Sequence, residues 1–510
     1  MKFLACSIRK TRRATLTAFA LGMTIAVATV GLAQTPHKYA TQTPPGIAAS
    51  AEVNTRLGVL RFTNGFPDNA TVQLLYDNLD FQRAVQAYLM AIAAVNQAGM
   101  REGLRRWGPD NQTDVIWENM VDARTIELTA NSNIVYSFLW LDTHKGPLVI
   151  ETPPGSDGGI DDFWYRWVTD TGLTGPDKGK GGKYVLLPPD YKGAVPSGYF
   201  VVRSRTYGNW FAFRSFLVNG MTTPAVALVK RTLRIYPLGR AAAAPPMRFV
   251  NASGVYSNFV APADYRFWEL LNQVVQEEPS DSLDANTLGL YASIGIVKGR
   301  PFAPGARMRQ ILTEAAAVGD GTARAIAFRT REQAAYYYPH SAWRRPFTGG
   351  YQFNVIPGVR DLDAYVTYSW LATGVTPAME AGSVGQGAQA AWAAVDASGA
   401  PLDGAKFYRL HLPAPIPAKT YWSIMVYDNQ LRSMLQTDQR LPAVSSMSDS
   451  LAVNSDHSID IYFGPTPPTG KRNWVQTLPG QGWNVILRLW EPLEPWFDQT
   501  WRPGEIEPLP

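Results

Sequence analysis

The spacing of apolar residues changes several times along the chain, and each change marks a new element. From Thr71 the period is helical: Val72, Leu75 and Leu79 form one stripe, and Val85, Tyr88, Ile92 and Val95 form another. Asp80 sits between the stripes as a candidate N-cap, so two consecutive helices are predicted. Residues 133–141 are apolar or aromatic on both faces, as in a buried strand, and residues 199–207 alternate in the manner of a half-exposed one. Proline- and glycine-rich stretches at 153–155, 172–182 and 188–189 punctuate these runs. That spacing predicts an antiparallel sandwich rather than βαβ units.

The helical period returns over 262–345. Phe267, Leu270, Leu271, Val274 and Val275 make one amphipathic segment ending near Pro279; Met308, Ile311 and Leu312 begin a second, residues 323–338 a third, and 361–372 a short fourth. From about Lys406 the pattern is β again, with Tyr421, Ser423, Met425 and Tyr427 alternating against Trp422, Ile424 and Val426, followed by runs at 458–463 and 484–490. The chain therefore reads as mainly β with α. Residues 1–33 form a leader, 34–70 a linker and lead-in, 71–260 an N-terminal β-sandwich domain with leading helices, 261–345 a helical subdomain, and 346–510 a C-terminal β-sandwich domain.

Composition supports an ordered protein and removes some functions. The 510 residues are 46% hydrophobic, 12% aromatic and 17% charged, which excludes disorder as the main state. The formal charge of +5 points towards polyanion binding until its location is traced. Residues 1–33 carry Lys2, Arg9, Lys10, Arg12 and Arg13 and no acid; without these five, 42 Lys and Arg face 42 Asp and Glu. The body thus has no global field for nucleic acid.

The leader pairs that basic start with an apolar run from Ala14 to Leu32, and small residues precede Gln34. It reads as a secretory signal peptide cleaved after Ala33, giving a periplasmic or secreted product. A membrane anchor is the rival reading, because the run approaches spanning length. Thr11-Arg12-Arg13 followed by Leu16 also loosely matches a twin-arginine signal. No later run is long and apolar enough to span a membrane. The single cysteine, Cys6, lies in the leader, so thiol catalysis and disulfides are not expected after cleavage.

Standard catalytic signatures are missing: there is no Gly-x-Ser-x-Gly elbow, His-Glu-x-x-His motif or Walker A loop. Residues 175–184 offer backbone amides with Lys178, Lys180 and Lys183 to an anion, although a structured loop is the simpler reading. The five histidines are scattered, so no local metal site and no cofactor is expected. Asp161 and Asp162 precede an aromatic run that includes Trp164, Arg166 and Trp167, with Asp170 and Asp177 close behind. Acids and aromatic rings on a concave sheet suit a sugar-like ligand. Adjacent Asp residues on a strand point opposite ways, so Asp161 and Asp162 are not themselves a dyad. Arg203 and Arg205 would share one strand face, answered either by local carboxylates or by an anionic ligand.

These residues also carry a resemblance. Leu75-Tyr-Asp-Asn-Leu79, Leu128-Thr-Ala-Asn131 with Val135-Tyr136, Leu141-Asp142, Gly146-Pro147, the stretch 172–189 and Tyr236-Pro-Leu238 resemble the bacterial domain of unknown function 1254. Residues 373–379 (Thr-Gly-Val-Thr-Pro-Ala-Met), Tyr427-Asp428, Arg432, Asn473-Trp474 and Arg488-Leu-Trp490 resemble its usual C-terminal companion, domain 1214. The resemblance implies two jelly-roll-like antiparallel β-sandwich domains with a helical insert, often in exported proteins, and supplies no reaction. His457 departs from the pattern, standing where glycine is usual.

Two functions are expected. One is a hydrolase or lyase acting on a glycan, ester or small polar substrate in an inter-domain cleft. Its acid/base candidates are Asp142, Asp170, Asp177 and Asp428, and its ligand-binding candidates are Trp164, Arg166, Arg203, Arg205, Tyr368 and Arg432. The other is a non-catalytic ligand-binding or envelope-assembly protein. Oligomeric state is not legible.

Overall fold

The computed structural model describes residues 38–510 apart from 42, 381, 449 and 471. The predicted leader and Cys6 lie outside the described residues. The protein is mainly β with some helices, 28% strand and 25% helix. It divides into two compact units, one ending at Leu74 and one from Leu75 to Pro510.

In the first unit, strands Glu52–Thr55, Gly58–Thr63 and Phe66–Pro67 form a small antiparallel sheet. Its second turn holds Asn64 and Gly65 at φ 52° and 83°, the left-handed pair that tight hairpins require. Asp68 Oδ1 accepts the Thr71 amide at 2.7 Å and caps the helix Asn69–Arg105. That helix is continuous where two were expected. Asp80 is inside it, paired with Arg307 at 2.8 Å rather than capping, and no glycine or proline interrupts 70–98.

In the second unit, the buried stripe of this helix (Ala84, Ala87, Tyr88, Ala91, Ile92, Val95) packs with helices Arg266–Glu277 and Ala306–Phe328 in one core. Tyr88 stacks on Phe267 with ring centroids 3.9 Å apart. The second and third helical segments expected after Pro279 are largely one helix, which ends at Phe328.

Four larger sheets follow. A six-stranded sheet runs in the order Arg248–Asn251, Thr113–Ile116, Val135–Asp142, Gly208–Ser215, Ser156–Asp162, Trp167–Gly172. A four-stranded sheet of Phe200–Arg203, Lys183–Leu187, Leu148–Glu151 and Arg234–Pro237 shares a core with it, including Leu139, Leu141, Ile150, Leu186, Phe211 and Ile235. Towards the C-terminus, Ala388–Ala393, Trp483–Pro492, Ala418–Asp428 and Ala443–Ser445 form one sheet. Its buried partners in the other sheet, among them Leu410, Ile461, Phe463 and Ile506, come from Trp474–Gln476, Ile459–Gly464, Tyr408–Leu412 and Ile506–Pro508.

These sheets are mixed, not purely antiparallel. Lys183–Leu187 pairs parallel with Phe200–Arg203, Thr113–Ile116 with Arg248–Asn251, and Ile459–Gly464 with Trp474–Gln476. Each parallel pair is joined by a connection long enough to return the chain to the same end of the sheet. Among the described residues no helix is long and apolar enough to cross a membrane.

Candidate functional site

The six-stranded sheet exposes a face built in rows across strands. Strand register places Tyr136 beside Arg214 and Asp157, Phe138 beside Ala212 and Gly159, and Trp140 beside Trp210 and Asp161. The first C-terminal sheet has matching rows: Ala388, Trp490 and Tyr421; Ala390, Arg488 and Ser423; Trp392, Ile486 and Met425. Large rings flank small residues in both sets. A cavity of about 340 Å³ lies where Gly159, Ala212, Ala388 and Ala390 leave room, within the usual range for small-molecule sites. A Cβ on Gly159 would come within 3.1 Å of Thr376 Cγ2, so glycine lets the covering segment approach without displacement.

That covering segment follows the helix Leu362–Leu371, which Asp361 caps through the Ala364 amide. Three acids touch it. The Thr373 hydroxyl donates to Glu127 Oε1 at 2.8 Å, the Val375 amide donates to Asp161 Oδ2 at 2.9 Å, and the Thr376 side chain hydrogen-bonds Asp170. Two tyrosines complete the anchoring: Tyr165 Oη donates to the Ala372 carbonyl and Tyr368 Oη to that of Gly374.

Burial shapes the chemistry of these acids. It pushes the Glu127 carboxyl up to about 8 and holds Asp161 well above the carboxylate range. Asp170 rises to about 6, again mainly through burial, with the Trp167 indole at 3.2 Å opposing the rise. Burial thus favours the protonated, hydrogen-bond-donating form of both Glu127 and Asp161. Glu127 Oε2 and Asp161 Oδ1 have no partner in the fold, and the same holds for the indole nitrogens of Trp210 and Trp490. Asp157 is different, since it pairs with Arg214 at 3.0 Å.

On the opposite wall Arg488 donates to Tyr427 Oη and to the Thr129 carbonyl, both at 2.7 Å. Tyr427 Oη in turn donates to the Ala130 carbonyl at 2.7 Å. The 127–131 segment is thereby fixed to the C-terminal sheet.

Of the residues singled out in the sequence, Tyr368 lines this cavity and Asp170 lies just behind its wall. The others are elsewhere. Asp142 sits at a strand end, 2.8 Å from His144 Nδ1. Asp177 accepts the Gly172 amide and the Tyr184 hydroxyl. Asp428 accepts the amides of Gln430 and Leu431 and so shapes a turn. Trp164 is buried, its indole donating to Ser282 Oγ, and Arg166 binds Asp162 and the Ser282 carbonyl. Arg203 is spent on the carbonyls of Pro188, Pro189 and Tyr191. Arg205 does not share its strand face, because the strand stops at Arg203 and a turn braced by Ser204 and Thr206 side chains follows. Arg432 is buried at φ 61° with its guanidinium 4.4 Å from the Trp370 ring centre, and burial lowers it to about 10.

Glu127, Asp161, Trp210 and Arg488 were not among the candidates. Arg488 opens the motif 488–490 and Glu127 adjoins 128–131, and these motifs converge with 373–379 on the cavity; Asp161 was noted only as one of an adjacent Asp pair, and Trp210 carried no signal. Among the described residues no cluster of three or more His, Cys, Asp and Glu is arranged to hold a metal ion.

Residues 112–237 match the family described as protein of unknown function (DUF1254), and residues 387–494 match protein of unknown function (DUF1214). The chain carries both regions, in that order. The DUF1254 region supplies five of the six strands of one cavity wall and the DUF1214 region the facing sheet. In fold, the chain is similar to the VPA0106 protein from Vibrio parahaemolyticus, with a TM-score of 0.52 and 16% identity over 84% of this chain and 100% of that one. An uncharacterised protein from Burkholderia cenocepacia gives a TM-score of 0.37 at 13% identity, over 84% of this chain and 95% of that one. No curated protein matches the chain.

Proposed function

We propose that the protein is an exported, periplasmic or secreted ligand-binding protein that takes a small, ring-bearing polar molecule into the cavity between the two facing sheets. One observation carries the reading: a cavity of about 340 Å³ is walled by aromatic rings, by the buried acids Glu127 and Asp161, and by Arg214 and Arg488, drawn from both matched regions. Rings supply stacking area and the few polar groups fix orientation, the usual division of labour in such sites. Export rests on the basic and apolar leader alone. The paired cores described above support reading each half as a jelly-roll-like sandwich, with residues 261–345 as a helical insert.

A hydrolase or lyase is the second reading, and Asp161 with Asp170 favours it. Burial raises Asp161 well above the carboxylate range and Asp170 only to about 6, which biases the first towards the acid role and the second towards the base role. Against it, none of His144, His340, His411 and His457 lines the cavity, so among the described residues no imidazole is placed to activate a hydroxyl nucleophile there.

Ala212→Leu tests the cavity. The side chain would fill the space between Phe138 and Gly159. In thermal-shift and calorimetric titrations with glycosides, aromatic esters and ring acids, the native chain is expected to bind at least one class and Ala212→Leu to bind none. Equal binding by both chains would remove the cavity from the proposal. Product formation from a bound ester or glycoside would select the enzyme reading.

A further inference from the structure

Arg488 places a positive charge in the cavity wall with no carboxylate to answer it. Its bonds go to a phenol and a peptide carbonyl, both neutral, and use two of the donors of its planar fork. The residue is partly buried, and it makes no ion pair among the described residues. A guanidinium drawn out of bulk water without a counter-charge is costly, and its fork matches a carboxylate in two-pronged geometry.

The surroundings sharpen the point. Arg214 lies 5.0 Å from the ring centre of Trp490, which is two residues along the strand from Arg488, so the two cations serve one end of the site. Asp157 is the only acid paired with either among the described residues, and it takes Arg214. Burial disfavours the charged form of Glu127 and Asp161, and their bonded oxygens are taken by Thr373 and Val375, so neither is placed to answer Arg488. Of the remaining charged groups in the wall, Arg345 lies 4.2 Å from the centre of the Tyr337 ring, and Glu380 is exposed and faces Gly350. Among the described residues Arg345 and Arg488 are thus left without a carboxylate partner; Arg345 covers the Tyr337 ring, and Arg488 stands on the strand beside Trp490.

We propose that the ligand is a ring-bearing organic acid carrying a single carboxylate, which Arg488 receives while the ring lies among Tyr136, Trp210 and Trp490. This deepens the proposal that the cavity binds a small molecule, and rests on it. The carboxylate supplies the missing counter-charge, and the free donors of Glu127 and Asp161 suit an oxygen substituent elsewhere on the ring.

Calorimetric titration of the full chain at pH 7 and low salt, with benzoate, cyclohexanecarboxylate and their two amides, tests this. Each acid is expected to bind at least tenfold tighter than its amide, with the advantage falling as salt is added. Arg488→Gln should erase that ratio, and Arg488→Lys should retain part of it. If Arg488→Gln does not fold, the acid-to-amide ratio of the native chain and its salt dependence decide alone. Amides binding as well as acids would overturn the carboxylate assignment and leave the cavity reading standing. Phenyl phosphate binding more tightly than benzoate would also overturn it, in favour of a phosphate ester. Silence from all of these probes would overturn both.

Discussion

The Thr373 hydroxyl donates a 2.8 Å hydrogen bond to Glu127 Oε1, joining two segments 246 positions apart across the roof of the cavity. Glu127 is 2% exposed, and burial raises its carboxyl from the ordinary 4.5 to about 8. Between those values the folded protein holds a proton that the unfolded chain has lost, so stability falls as pH rises and the full penalty is present above pH 8. Asp161 acts in the same direction, as do Asp114 (about 8), Glu278 (about 7) and Asp170 (about 6).

Replacing Glu127 with glutamine keeps the acceptor for Thr373 and fixes the neutral form. Urea unfolding is expected to find Glu127→Gln within about 1 kcal/mol of the native chain at pH 5 and more stable by roughly 2 kcal/mol at pH 8. Parallel pH profiles for the two chains would show that Glu127 titrates normally.

Tyr427 ties the two matched regions together. Its hydroxyl donates to the Ala130 carbonyl and accepts from Arg488, both at 2.7 Å, inside a buried wall. Tyr427→Phe leaves a buried carbonyl and a guanidinium each short of a partner, at a cost of about 1–3 kcal/mol. Tyr191→Phe, which loses one exposed bond to the Ala194 carbonyl, is the control and should change stability by less than about 0.5 kcal/mol. Equal effects in denaturant unfolding would deny Tyr427 its bridging role.

Much of this architecture is legible in the sequence, and the reasons for the remainder are physical. Hydrophobic patterning finds the strand at 133–141 because it is apolar on both faces, and the one at 420–427 because two sets of side chains alternate along it. It splits the helix Asn69–Arg105 because a mid-helix acid paired to a distant arginine looks locally like a cap. The cavity is harder still. Gly159, Ala212, Ala388 and Ala390 make a void only because cross-strand register sets small residues side by side, and that register is absent from any one segment. Acids chosen for their aromatic neighbours, such as Asp177, serve backbone amides instead. Glu127, which has no such neighbours, reaches the site through a fold-level contact.

His457 was marked in the sequence as replacing a glycine, and it lies at φ 65°. Left-handed backbone costs an L-residue roughly 1–2 kcal/mol, while glycine gives back about 0.5–1 kcal/mol through its freer unfolded chain. His457→Gly should therefore raise stability by roughly 0.5 kcal/mol, whereas His457→Ala, equally strained, should not. A melting comparison of the three chains checks the order. An alanine variant as stable as the glycine one would mean that the turn stores no strain.

Asp170 and Asp428 were grouped as acid/base candidates, and the structure separates them. Asp428 Oδ1 accepts two turn amides at 2.6 Å, a role that asparagine oxygen fills as well. Asp170 is 8% exposed, raised to about 6, and bonded to the segment that covers the cavity. With a ligand or substrate in hand, Asp428→Asn should leave affinity and any turnover within about twofold at every pH and cost less than about 1 kcal/mol of stability. Asp170→Asn should instead remove a transition centred near pH 6, because the group whose charge changes there is gone. Titrations from pH 5 to 8 distinguish the two. Retention of the pH 6 transition in Asp170→Asn, or its loss in Asp428→Asn, would assign the proton to another residue.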